Sequence, residues 1–188
     1  MSPAAPSTTD FLTEPVRLSY VHVWEPFSQS GKPEDAKYSC QLLIPKSDKV
    51  TLARFDAAAE AAKVNGAHKF GGKVPKNLPT TMHDCDEEDD LDEKPENAGC
   101  YRVTVTTNTA PGIVDKAVQP ILDQTQVYSG CWAKVALNAS AYNTNGNKGI
   151  TFYLRHIQKF SDDENLAGRS KPEDVFSPIE EDSEESLI

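Results

Sequence analysis

No apolar run in this 188-residue chain approaches the roughly 18 residues that a membrane span requires. The opening MSPAAPSTTD lacks the charged and apolar regions of a signal peptide. Both absences predict a cytoplasmic protein with no membrane partner. Cys40, Cys85, Cys100 and Cys131 include no CxxC pair, and reduced thiols are expected. Cys40 and Cys131 fall on inward strand faces, where a free cysteine is a small apolar residue. His83, Cys85 and Cys100 are three candidate zinc ligands whose spacing matches no finger or ribbon. The acidic run at 84–96 lacks the glycine and alternating ligands of an EF-hand loop. Nucleophilic catalysis has no Gly-x-Ser-x-Gly elbow to rest on. Gly71-Gly72-Lys73 has neither the spacing nor the feeding strand of a P-loop. The sequence therefore predicts no cofactor, no metal and no catalytic residue. An alternative reading, a metal-dependent nuclease, would draw on Asp84, Asp86 and Asp115, which nothing in the sequence places together.

Charge is scarce in one sense and abundant in another. The net charge of −10 looks hostile to nucleic acid, but it is segregated. Residues 84–96 carry −8 and residues 161–188 carry another −8, so the remaining body is +6. A basic body with two acidic appendages calls for a functional reading, although acidic loops and tails also simply aid solubility.

The most informative stretch runs from Tyr128 to Ile157. Cys131, Ala133, Val135, Leu137, Ala139 and Ala141 alternate with Trp132, Lys134, Ala136, Asn138, Ser140 and Tyr142, the period of a half-buried strand. Asn-Gly turn chemistry follows within 143–149. Ile150, Phe152 and Leu154 then oppose Thr151, Tyr153 and Arg155. The polar face of this hairpin mixes flat rings with cations, which suits stacked bases and their phosphates. The same pattern also fits aromatics covered by a loop or a subunit partner. Candidate base platforms are Trp132, Tyr142, Tyr153, Trp24 and Tyr101, the last two equally suited to the core. Candidate phosphate contacts are Lys134, Arg155, Arg102, Lys37, Lys73, Lys76 and Lys116.

Along the rest of the chain, residues 1–13 are expected to be disordered and 14–160 to form one DNA-binding domain. Strands are expected near 16–24, with a slip of face at Tyr20 and Val21, and near 37–44, 100–107, 130–142 and 149–158. A short strand is expected around 113–115. Ser47 reads as the N-cap of a helix ending near Asn65, with Gly66 as its stop and Val50, Ala53, Ala57, Ala61 and Val64 as a narrow apolar stripe that Phe55 and Leu52 widen. Residues 84–96 read as an exposed loop, and 161–188 as a disordered acidic tail. In that tail Phe176, Ile179, Leu187 and Ile188 are apolar anchors among Glu181, Asp182, Glu184 and Glu185. A tethered polyanion of this kind can compete with DNA for a cationic groove and recruit partners.

RLSYVHVWEPF, KYSCQLLIPKSD, FGGKVPKNLPTTMHDCDE and VYSGCWAKVALNASAYNTNGNKGITFYLRHIQKF together resemble a family of phage single-stranded-DNA-binding proteins, over roughly residues 15–176. The resemblance implies an OB-fold barrel with an inserted helix, acting on single-stranded DNA in phage replication or recombination, in the host cytoplasm. It also implies an acidic tail that contacts replication or recombination proteins. This chain departs from the bacterial pattern at its tip, which reads Ser186-Leu187-Ile188 rather than Pro-Phe. The expected fold is thus mainly β: a five-stranded OB-fold-like barrel with one inserted α-helix and long loops. The expected function is non-catalytic binding of single-stranded DNA, with duplex DNA accommodated if the groove is shallow. A homo-oligomer stays open, and a virion or scaffold module is the alternative of another class.

Overall fold

The computed structural model describes residues 8–167 and 175–179. Eight strands form one sheet system: β1 (Asp10–Leu12), β2 (Val16–Phe27), β3 (Lys37–Pro45), β4 (Met82–Asp84), β5 (Cys100–Thr107), β6 (Gly112–Val114), β7 (Trp132–Thr144) and β8 (Asn147–Ser161). Helix α1 (Lys49–Asn65) lies between β3 and β4, and the single turn α2 (Cys85–Glu88) follows β4. Five strands close a ring in the order β2-β3-β5-β8-β7-β2, antiparallel except for the parallel β5–β8 contact. This is an OB-like arrangement, with the five principal strands where the hydrophobic alternation predicts them.

The hairpin dominates. β7 and β8 pair from Trp132↔Ser161 to Thr144↔Asn147. Asn145 and Gly146 both take positive φ, 51° and 85°, the two-residue turn whose twist matches the flanking strands. Odd-numbered residues 131–141 are all buried and even-numbered ones are all half-buried, so the predicted faces hold. Val16, Leu18, Leu42, Ile44, Val103, Val105, Val135, Leu137, Phe152 and Leu154 fill the ring. All four cysteines are free.

Helix α1 closes one end of the ring with part of the expected face: Phe55 and Ala61 are buried and Leu52 packs against the core. Its buried residues are Thr51, Phe55, Ala58, Ala59, Ala61 and Ala62, whereas Val50 and Val64 are exposed. Alanines occur on both sides, so their spacing does not choose a face; Phe55 does. Its ring meets Phe11 and Phe152 edge to face, each at 4.8 Å between centroids. The N-cap is Asp48, not Ser47: its carboxylate accepts from Thr51 N at 3.0 Å. Gly66 ends the helix as expected, yet its φ is −100°, so no left-handed turn requires it. A Cβ there would stand 2.5 Å from that of Ala141, and glycine lets the helix end meet β7.

One expectation of disorder gives way, and one expected exposed loop is fastened to the body. Asp10–Leu12 already pairs with β7, and Thr13 is buried, its hydroxyl accepting from Val135 N at 3.0 Å. Ordering thus begins before residue 14. Residues 84–96 are also not a free loop. Asp89, with only 8% of its side chain exposed, accepts from Arg102 Nε at 2.9 Å and from Asn97 Nδ2 at 2.8 Å. Lys46 Nζ bridges Asp84 at 2.7 Å and Asp86 at 2.8 Å, and Cys85 is fully buried. Counting charges argues for exposure, but the cations that neutralise these acids come from β5 and the end of β3, distant in sequence.

Phe55→Ala is expected to cost about 3–5 kcal/mol of unfolding free energy, measured by urea titration, because it empties the centre of the aromatic cluster. Removing residues 1–12 takes away Phe11 and β1 and should lower stability in the same assay. Arg102→Ala should cost about 2 kcal/mol after allowance for Arg102's partial exposure. Burial raises the Asp89 pKa, but hydrogen bonds from Asn97 and Arg102 outweigh it and bring it below the ordinary 3.8. The stabilisation is therefore complete above 3.8 and disappears as pH falls through the lower folded value. Asp89→Asn should remove that part of the acid dependence.

Candidate nucleic-acid interface

Strand register lines up the outward faces of the ring. His22 pairs with Ser39, Ser39 with Thr106, Thr106 with Tyr153, and Tyr153 with Asn138. Directly paired residues share a face, so one outward row crosses five strands. Ser19, Gln41 and Thr104 form the next row. A groove of about 650 Å³ lies over these rows, with Tyr20, His22, Phe27, Lys37, Thr104 and Thr106 among its lining residues.

Its aromatic wall comes from an irregularity in β2. Pairing with β3 shifts between Ser19 and His22, and Tyr20 takes φ 47°, rare for a residue with a Cβ. The bulge leaves the Tyr20 ring 54% exposed. Farther along, the His22 and Phe27 rings stack at 4.4 Å and 13°, and Phe27 remains exposed. The floor of Ser39, Gln41, Thr104 and Thr106 carries hydroxyls and an amide but no charge. Such a surface offers ring faces and neutral hydrogen-bonding groups, with Lys37 beside the carboxylates of Glu34 and Asp35 at its β2–β3 end.

The residues singled out from sequence do not form one site. Tyr153 stands in the outward row and is exposed, and Lys37 lines the groove. Arg102 faces the same way but is engaged by Asp89. Trp132 and Tyr142 are outward-facing as expected, yet ten residues of strand, roughly 33 Å, separate them. Tyr142 packs on Gly149 at the hairpin tip. Lys134 lies 3.9 Å from Glu14, and Lys116 sits over the Phe160 ring at 4.7 Å. Arg155 is exposed beside β1, and Lys73 and Lys76 are exposed in the segment after α1. Trp24 turns toward the core, with Nε1 donating to Val127 O at 3.1 Å. Tyr101 shares the inward parity of Val103 and lies under Lys46 at 5.2 Å.

Tyr20, His22 and Phe27 were missed. The break of alternation at Tyr20 and Val21 was the available signal, and Glu25-Pro26-Phe27 reads as loop although β2 continues through it.

Trp132 has a different neighbour from the one expected. Its Nε1 donates to Asp163 Oδ2 at 2.9 Å, and Arg17 Nη2 donates to Glu164 O at 3.0 Å. Tyr128 Oη donates to Asp162 Oδ1 at 3.0 Å, and Leu166 N donates to Ser129 O at 2.8 Å. Hydrogen bonds from Trp132 and from Glu164 N hold the Asp163 carboxyl below its ordinary range. The acidic tail therefore starts as a segment fastened to the body, not as loose chain from residue 161. Phe176 and Ile179 are exposed; Glu181, Asp182, Glu184, Glu185, Leu187 and Ile188 lie outside the described residues.

The nuclease and zinc alternatives lose their geometry. Asp84 and Asp86 hold Lys46, while Asp115 accepts from Ala117 N and Gln119 N in its own turn. Burial pushes the Cys85 thiol up to about 12. Among the described residues, no three His, Cys, Asp or Glu side chains converge as a metal site, and no helix is long and apolar enough to cross a membrane.

Comparison with known proteins places this geometry. No curated protein matches the sequence. The single-stranded DNA-binding protein from bacteriophage Enc34, solved in complex with ssDNA, is 23% identical with a TM-score of 0.72, over 88% of this chain and 97% of that one. Its C-terminal truncation is 22% identical with a TM-score of 0.68, over 88% and 95%. The bacteriophage T7 single-stranded DNA-binding protein gp2.5 is 14% identical with a TM-score of 0.57, over 86% and 97%. These likenesses show a shared fold. The sequence match carries further: it runs over residues 9–188, from the first strand through the acidic tail, and by it the chain belongs to the family of the Enterobacter phage Enc34 ssDNA-binding protein.

Proposed function

We infer that the chain binds single-stranded DNA, without catalysis, in the outward groove of β2, β3 and β5. The observation that carries this reading is the outward row from His22 to Tyr153, flanked by the exposed rings of Tyr20 and Phe27. An unpaired base has a free π-face, and stacking on an aromatic ring is worth roughly 1–3 kcal/mol per base. The His22–Phe27 rings already lie nearly parallel, and a base can continue the stack. Ser39, Gln41, Thr104 and Thr106 can hydrogen-bond base edges of any identity, so sequence preference is slight. Lys37 contacts phosphate directly; Lys73, Lys76, Lys134, Lys116 and Arg155 contribute the wider field. Duplex DNA keeps its base faces covered and gains only the electrostatic part, which salt removes.

In this reading the protein coats single strands during phage replication or recombination, in the host cytoplasm. The acidic tail competes with DNA for the cationic body and, once displaced, engages replication or recombination proteins. Trp132 serves the tail as its anchor and is no longer assigned to a base.

Phe27→Ala and Tyr153→Ala should each weaken binding of a fluorescent oligo(dT) of about 30 nucleotides by roughly 5- to 150-fold, the equivalent of one stacked base. Both side chains are exposed, so thermal unfolding should hardly move; unchanged affinity in both variants would refute the groove assignment. Wild-type protein should prefer the oligomer to matched duplex, and the preference should widen as salt rises. Truncation after Ala167 leaves the fastened segment in place and should tighten binding at low salt. Equal or weaker binding would exclude tail competition.

A further inference from the structure

The acidic insert runs past the end of the groove marked by Tyr20, although none of its own residues lines the groove. Leu43 faces outward by register, pairing with Arg17 on one side and Arg102 on the other, and it alternates with inward Leu42 and Ile44. Even so, it is 1% exposed. Asp89 lies over the same outward face at Arg102, on β5. Lys94 Nζ stands 5.5 Å from the centre of the Tyr20 ring, on β2. Residues 89–94 therefore cross over β3 between these two points, with Leu43 beneath them. The crossing lies next to the row of Ser19, Gln41 and Thr104, where the groove floor begins.

Eight of the nine acids of this insert fall into two groups, Glu96 standing apart at its end. Asp84, Asp86, Glu88 and Asp89 are paired with Lys46, His83 and Arg102, and Asp86 also accepts from Gly99 N at 2.9 Å. These contacts fasten the insert. Glu87, Asp90, Asp92 and Glu93 are exposed and have no cationic partner among the described residues. A segment that served solubility alone would not need ion pairs that hold it across β3.

We propose that the insert is an electrostatic end stop for the DNA strand, whose unpaired carboxylates repel the phosphate backbone and set the length of strand that one protein covers. The proposal rests on the groove as the single-strand track. Screening limits exposed charges to about 10 Å in 0.1 M salt. The stop therefore acts on the phosphates that reach the crossing and not on the whole track. It turns the strand away from the crossing, along the outward row toward Tyr153.

The test is the full chain carrying Glu87→Gln, Asp90→Asn, Asp92→Asn and Glu93→Gln, with the fastening acids intact. Asn at position 90 keeps the oxygen that accepts from Asp92 N and Glu93 N. The occluded site size on poly(dT), from stoichiometric titration, should lengthen. Affinity for oligo(dT) of about 30 nucleotides should rise roughly fivefold at low salt, the size of one water-screened charge contact. Affinity for about 6 nucleotides, near the lower site sizes of OB folds, should stay unchanged. An unchanged site size, or an equal gain for both oligomers, would overturn the proposal. Should the quadruple variant fold poorly, Asp92→Asn with Glu93→Gln should give the same length-dependent effect at smaller size, and its absence refutes the stop. Failure of the groove reading shows separately, as Phe27→Ala and Tyr153→Ala variants that bind like wild type; the end stop then falls with it.

Discussion

The register between β7 and β8 determines most of what this molecule presents. It is set at the two-residue Asn145-Gly146 turn, holds as far as Leu137↔Leu154, and then shifts at bulges between Ala136 and Leu137 and between Trp132 and Ala133. With period-two side chains, a slip of one residue would exchange the two faces. Val135, Leu137 and Phe152 would go to water, and Lys134, Asn138 and Tyr153 would enter the ring. The same register aligns Tyr153 with Thr106 across the parallel contact that joins β8 to β5. The outward row is thus a consequence of how the hairpin turn is closed. The aromatic cluster of Phe11, Phe55 and Phe152 then locks the inner side of that choice.

Regular alternation made the fold readable. The five ring strands, the helix and the faces of the hairpin followed from spacing alone, because apolar residues at period two have few other uses. Reading failed where partners come from far away in sequence. Thr13 is buried against a strand 122 residues later, and nothing in the residues around it announces that. The helix face was legible at Phe55 and Leu52 but not among the alanines, because alanine fits a buried or an exposed position equally well. The acidic insert was taken for free loop because its cations, Lys46 and Arg102, belong to other elements.

The candidate site was less legible than the fold, for a related reason. Aromatic and basic residues mark a nucleic-acid surface only after the ring has chosen which of them stand together. Tyr153 and Lys37 survive that choice. Trp132 does not, since Asp163 takes its indole nitrogen. Tyr20 and Phe27 enter through a bulge and a strand extension, both visible in the sequence only as breaks in a pattern. Irregular positions interrupt the alternation, and they turn aromatic rings out of an otherwise polar face.

The pairing of the first strands with β7 also has a bearing on how the protein is made. Val16 and Arg17 find Ala133 and Trp132, and Asp10 finds Asn138, so the ring cannot shut until more than a hundred later residues have left the ribosome. Contacts of such long sequence separation impose a large loop-closure cost before they return any stability, and they slow folding. In that interval β2 and β3 can form their meander, but its outer edge stays unpaired and able to join a neighbouring chain. Synthesis rate and chain concentration therefore govern the yield of folded protein as much as its final stability does.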